Sequence, residues 1–330
     1  MNRPEDAGKH LLIGFNGLDS GQELKALITE YAIGGIVLFK RNAESFQQLR
    51  ALIEEAQAIS MEKWGRPLWV AIDQEGGPVQ RLNRVFPDLP PARSLAEAGP
   101  GPLRLAVERA ADEMASLGIG MNLAPVVDLA PEDGTQHFMG SRTLGSDPGL
   151  VADLGSLWAA TLLENGILPT AKHFPGLRGA ESDPHHFAPV IRHSSPGDLD
   201  RDLAPFRALI EAGIPCVMTS HALYPDLDPD WPATLSTRIC RDLLRGDLNF
   251  RGVLLSDDLD MAAMADHFSP DDLVRRGLLA SNDLLLVCQS TDNIEPIHRA
   301  LERAIAEDPQ VREAHANSLK RLAELPYFKT

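Results

Sequence analysis

Eight short apolar runs of β type recur along the chain, each followed by a longer segment with helical periodicity. The runs lie at 10–17, 33–39, 68–74, 120–128, 170–174, 215–221, 252–257 and 282–288. Strands separated by helices pair in parallel, because the connecting helix carries the chain back to its starting edge. Eight such units fill 330 residues. No Gly/Ser/Pro linker or charge run divides them, and no repeat of about 20–50 residues suggests a solenoid. The pattern predicts an α/β fold, a single closed (β/α)8 TIM barrel forming one domain over 1–330; an open doubly wound sheet is the alternative.

The helical segments carry one face to bury. Phe46, Leu49, Ile53 and Ala56 share a face, with Asn42 as the expected N-cap. Leu199, Leu203, Phe206 and Ile210 do the same ahead of Gly213, and the segment 103–117 stops at Gly118. The stretch 311–325 reads as a polar-faced terminal helix. Two connections, 129–148 and 175–192, are longer than ordinary loops and are expected to be functional.

Composition narrows the partners. Aspartate and glutamate total 47 against 31 lysine and arginine, a formal charge of −16. That sign argues against a nucleic-acid partner. The N-terminal stretch lacks the pattern of a secretory signal, and no apolar run approaches the roughly 20 residues that span a bilayer. A soluble, cytoplasmic protein without a membrane partner is expected. Cys216, Cys240 and Cys288 are widely spaced in apolar surroundings, which fits reduced core thiols.

Polar residues gather at the C-terminal ends of the β runs. Asp73-Gln74-Glu75 follows the third, Asp128 the fourth, Lys172-His173 ends the fifth, Ser220-His221 the sixth, and Ser256-Asp257-Asp258 the seventh. In a barrel these ends converge on the mouth where barrel enzymes place their chemistry. A single such residue reads best as a strand cap or structural ion pair. Five strands ending this way favour a site. Asp257 is positioned as a fixed nucleophile or ion ligand, and Asp258 alternates toward the barrel wall or a helix. In the loop Asp183-Pro184-His185-His186, an i, i+2 Asp–His pair lets the carboxylate orient the imidazole and raise its basicity. The bland alternative is a surface loop with incidental histidines. A metal site is disfavoured because no HExxH or similar spacing occurs. No dinucleotide fingerprint, phosphate loop or nucleophile elbow is present, so neither metal nor cofactor is expected.

The motifs resemble those of family 3 glycoside hydrolases, in particular the bacterial β-N-acetylglucosaminidases of cell-wall recycling. The matching segments are Ala71-Ile-Asp-Gln-Glu-Gly-Gly-Pro-Val-Gln-Arg-Leu82, Gly140-Ser-Arg-Thr-Leu-Gly-Ser-Asp-Pro148, Lys172-His-Phe-Pro-Gly176 with Asp183-Pro-His185, Met218-Thr-Ser-His221 and Ser256-Asp-Asp-Leu-Asp-Met261. They span most of the chain in the family's order. The Lys-His-Phe-Pro-Gly element ahead of an Asp-x-His is the specific signal for the branch that processes N-acetylated sugars.

The resemblance implies a retaining exo-β-N-acetylglucosaminidase without a cofactor. Its substrate would be an N-acetylglucosamine-containing muropeptide or chito-oligosaccharide, and the chain is expected to be a monomer. Asp257 resembles the catalytic nucleophile, His185 the general acid/base and Asp183 the residue that orients it. Asp73, Arg81, Arg142, Lys172 and His173 match positions that hold the terminal sugar. The chain departs from the family's pattern at Leu177 and Arg178, where histidine and glycine are common, at Pro78, often arginine, and at Pro184, often serine or threonine. Pro184 is expected to stiffen the loop and restrict Asp183 to extended geometry. Two alternatives stay open: a β-N-acetylglucosaminide phosphorylase, and a sugar-binding barrel without catalysis.

Overall fold

The computed structural model describes residues 4–131, 139–179, 189–193 and 195–325. Eight parallel strands close in sequence order into a barrel, with β1 paired to both β2 and β8. The strands are β1 (Leu11–Ile13), β2 (Gly35–Leu38), β3 (Trp69–Ile72), β4 (Met121–Asn122), β5 (Leu168–Phe174), β6 (Cys216–Thr219), β7 (Val253–Asp258) and β8 (Leu284–Val287). Each of the eight expected runs therefore overlaps a strand, and the barrel rather than the open sheet is the fold. Most are shorter than their apolar runs. The fourth shrinks furthest, because Pro125 has no N–H to give the ladder.

The helices in chain order are α1 (Gln22–Tyr31), α2 (Phe46–Trp64), α3 (Ala92–Ala98), α4 (Pro100–Leu117), α5 (Pro148–Glu164), α6 (Pro196–Glu211), α7 (Ala262–Ala265), α8 (Pro270–Leu279), α9 (Ile294–Glu307) and α10 (Pro309–Glu324), with a π-helical segment, Arg238–Asp247, between β6 and β7. The expected cap of α2 is corrected: Ser45, not Asn42, accepts from the Gln48 amide. The Asn42 amide is occupied elsewhere, accepting from the Phe39 N–H and donating to the Phe15 and Gly17 carbonyls. The glycine stop at Gly118 holds, with φ of 84°.

Two apolar layers follow from the two-residue side-chain period of the strands. Leu12, Val37, Trp69, Ala71, Leu168, Cys216, Met218, Val253, Leu255, Leu284 and Leu286 fill the barrel interior. Their neighbours Ile13, Ile36, Leu38, Val70, Ile72, Val217, Leu254 and Leu285 pack outward against the helices. Leu322 and Leu325, at the end of α10, join the interior layer and plug the barrel from below. Beside them the buried Asp283 carboxylate accepts from Arg245, Arg321 and the Leu254 amide, tying α10 to the barrel. All three cysteines are buried and free, as expected. Among the described residues, no helix is long and apolar enough to cross a membrane.

Candidate active site

The strand period that fills the barrel also aims the polar residues. Trp69 and Ala71 face inward, so Asp73 and Glu75 continue the same face past the end of β3. Leu168 likewise sets Lys172 inward on β5, and Val253 and Leu255 set Asp257 inward on β7. After β3 the chain must turn sharply. Gly76, at φ of 89°, makes that turn, and a Cβ there would stand 2.2 Å from the Pro90 carbonyl oxygen. Gln74 then fixes the returning strand: its side-chain oxygen accepts from the Arg81 and Leu82 amides. Asn122 holds Gln74 in a two-way amide bond, at 3.1 Å in both directions. Arg81 is thereby brought back over Asp73.

Five charged side chains form one continuous chain across the mouth. Arg142 donates to both oxygens of Glu75, at 2.8 and 2.9 Å. Lys172 Nζ lies 2.6 Å from Glu75 Oε1 and 2.8 Å from Asp73 Oδ1. Arg81 completes the chain at 3.2 Å from Asp73 Oδ2. Burial pushes the Asp73 carboxyl up, but the Lys172 and Arg81 charges outweigh it and hold the group well below the usual range. Burial acts the same way on Glu75, and Lys172 and Arg142 bring it down to about 2. Lys172 is raised despite burial by the same two carboxylates. Asp73, Glu75, Arg142 and Lys172 are therefore charged near neutral pH. Three donors and two acceptors held rigidly in a concave mouth suit a ligand dense in hydroxyl and amide groups.

Asp128 and His173 form a second cluster. One Asp128 oxygen accepts from the His173 backbone N–H at 3.1 Å and lies 2.7 Å from Nδ1; the other accepts from the Leu177 N–H at 2.9 Å. The Asp128 carboxylate thereby fixes the orientation of the His173 ring through Nδ1. The Lys172–His173 peptide bond is cis.

Asp257 sits opposite. Its Oδ1 accepts from the Asp258 N–H at 2.8 Å. Burial raises its pKa, and the imidazoles of His221 and His173, with that amide donor, lower it by more, so the carboxyl lies below its ordinary value. Asp258 points away, as alternation predicts, accepting from the Cys288 and Asp260 amides. Burial and the Asp260 charge push Asp258 up to about 7. Two adjacent carboxyls are thus driven apart, one ionised near neutrality and the other titrating there. His221 is held between the Thr234 hydroxyl at 2.8 Å and the Asp258 carbonyl at 2.9 Å.

Asp73, Arg81, Arg142, Lys172, His173 and Asp257 are brought together at one mouth. Asp183 and His185 lie outside the described residues. Two residues of the cluster, Glu75 and Asp128, were read at strand ends but given no role from sequence. Glu75 stands two positions after Asp73, so the strand period alone places it on the same face. Asp128 stood at an expected strand end, but nothing in the sequence pairs it with His173. Among the described residues, no group of three or more His, Cys, Asp or Glu side chains is arranged to hold a metal ion.

Comparison with known proteins adds the family. The model of the glycosyl hydrolase family 3 N-terminal domain matches residues 8–324. A protein named β-hexosaminidase from Nitrosomonas eutropha is 30% identical over 331 residues, covering 96% of this chain and 93% of that protein. The solved structure of a family 3 β-N-acetylglucosaminidase from Paenibacillus superimposes with a TM-score of 0.91 at 33% identity, covering all of this chain, which spans 64% of that one. A β-N-acetylhexosaminidase structure from Beutenbergia cavernae gives a TM-score of 0.91 at 30% identity, covering 98% of each chain. With the model matching nearly the whole barrel, the chain belongs to glycosyl hydrolase family 3 and is a glycoside hydrolase.

Proposed function

We propose that the chain is a retaining exo-β-N-acetylglucosaminidase that removes terminal N-acetyl-β-D-glucosamine through a covalent glycosyl-Asp257 intermediate. The observation that carries this reading is the inward-facing, partly exposed Asp257, with a lowered pKa and fixed by the Asp258 amide, beside a polar mouth able to grip a sugar. The names of the relatives support the N-acetylated sugar.

In the first step an Asp257 oxygen attacks the anomeric carbon, and the bond to the aglycone oxygen breaks as His185 donates its proton to that oxygen. In the second, His185 takes a proton from water, and the resulting hydroxide displaces Asp257 with net retention. Asp183 holds the imidazole in the tautomer both steps need. Asp258, pushed up to about 7, carries only part of a negative charge near neutrality, which lessens repulsion beside the nucleophile. Asp73 keeps lone pairs for two sugar hydroxyls while Lys172 and Arg81 occupy one position on each oxygen. Arg142 and His173 line the same mouth and complete the grip on the terminal sugar and its acetamido group. The substrate is a muropeptide fragment or chito-oligosaccharide, and the site of action is the cytoplasm, in keeping with three free, buried thiols.

A panel of aryl glycosides that differ only in the sugar tests the reading. The N-acetyl-β-glucosaminide is expected to be turned over far faster than the β-glucoside, and Asp257→Ala to abolish both. Comparable rates on the two sugars, or an active Asp257→Ala protein, would overturn it.

A further inference from the structure

Residues 175–179 and 189–193 flank the stretch that carries Asp183 and His185, and both flanks converge on the same two side chains. The first is Asp202, in the second turn of α6 and buried. From the outgoing flank, Arg178 Nε donates to Asp202 Oδ1 at 2.6 Å, and its Nη2 reaches Asp202 Oδ2 at 3.4 Å and the Asp198 carbonyl at 3.3 Å. From the returning flank, His193 Nε2 lies 3.4 Å from Asp202 Oδ2. The second is Tyr224, after β6 and also buried. Its hydroxyl donates to the Gly176 carbonyl at 2.7 Å, and its ring stacks on His193 at 6.2 Å between centroids.

The packing is tight at the outgoing side. Gly176 has φ of 125°, and a Cβ there would meet the Asp202 Cβ at 3.0 Å. The returning side is pinned by backbone: Ile191 donates to the Leu223 carbonyl and Leu223 to the Pro189 carbonyl, each at 2.8 Å. Arg178 is one of the positions where this chain departs from its family's pattern, so this ion pair is built from the chain's own sequence. A charge-assisted pair to a buried carboxylate holds its partners within narrow limits. Both flanks are thus tied to α6 and to the segment after β6.

We infer that Asp202 and Tyr224 form a clasp at the base of the 180–188 stretch, and that Asp202 is a positioning residue for proton donation to the leaving group. The inference rests on the reading of His185 as the proton donor. A clasp of this kind acts on the step that needs a proton and leaves nucleophilic attack intact. A residue that merely stabilises the fold would lower turnover of every substrate alike.

The test compares kcat/KM for dinitrophenyl and phenyl N-acetyl-β-glucosaminides, whose leaving groups differ in their need for a proton, in the wild type, Asp202→Asn, Tyr224→Phe and His185→Ala. In Asp202→Asn the phenyl substrate is expected to fall by about tenfold or more, with the dinitrophenyl substrate within about threefold of wild type. Tyr224→Phe keeps the ring and loses only the hydroxyl, so it should show the same selectivity more weakly, and it carries the test if Asp202→Asn does not fold. Selective loss in His185→Ala with uniform loss in both clasp variants would overturn the clasp alone. Uniform loss in His185→Ala would overturn the reading of His185, and the clasp with it.

Discussion

Replacing Glu75 by glutamine removes the carboxylate shared by Arg142 and Lys172 while keeping its shape. The Glu75 side chain is 2% exposed and its Lys172 partner 3%, so neither Lys172 nor Arg142 can recover full hydration when the charge goes. The amide keeps one acceptor oxygen where the structure uses two, and its NH2 group would face a donor of Arg142 or Lys172. Removing one partner of a buried pair costs about 3–5 kcal/mol. With an unfolding entropy of about 2.1 cal/mol/K per residue, about 0.7 kcal/mol/K for this chain, the midpoint should drop by about 4–7 °C. The pKa sets the pH window. Glu75 is lowered from 4.5 to about 2, so its stabilisation is complete above 4.5 and is lost as pH falls through about 2. The gap between wild type and Glu75→Gln should therefore stay constant from about pH 5 to 8 and narrow below about 4.5. Thermal unfolding followed by circular dichroism across that range measures it. Because the two cations also line the mouth, kcat/KM should fall by about tenfold or more. A midpoint shift under about 1 °C with unchanged kinetics would refute the account of Glu75 as the group that orders both cations.

Two further outcomes are expected. Asp128→Asn cannot accept on both sides from the His173 and Leu177 N–H groups, so it should lose about 1.5–3 kcal/mol in thermal unfolding and raise KM for the N-acetylglucosaminide; unchanged stability and KM would show that His173 is ordered by something else. At the barrel base, His10 Nε2 lies 2.7 Å from His315 Nδ1; burial lowers both rings, and the neighbouring His10 helps take His315 down to about 4. That contribution to stability is present above 6.5 and lost as pH falls through about 4, so wild-type midpoints should decline across that range and His315→Gln should decline less; identical slopes would contradict it.

The barrel was legible because eight β runs alternating with helices admit few topologies, and strand period then fixed which side chains face the axis. The same period separated Asp257 from Asp258, while Asp73 and Lys172 were named from their places at strand ends and from the family resemblance. Element ends were less legible: the helix cap moved from Asn42 to Ser45 because Asn42 bonds to residues far away in sequence, which local reading does not see. Asp128 was read at a strand end but given no role for the same reason, its partner lying 45 residues away. Glu75 shared its run with Asp73 and was passed over because its role as a counter-charge depends on Arg142, 67 residues on.

The central claim is a glycosyl ester on Asp257. The direct measurement is intact mass and peptide mapping after mixing with an activated, ring-fluorinated N-acetylglucosaminide. The fluorine disfavours the oxocarbenium-like transition state of both steps, and the good leaving group keeps the first fast enough for the intermediate to accumulate. The account predicts a mass increase of one fluorinated N-acetylglucosaminyl group on the peptide containing Asp257, absent from Asp257→Ala. Turnover with no adduct, or an adduct on another residue, would contradict it.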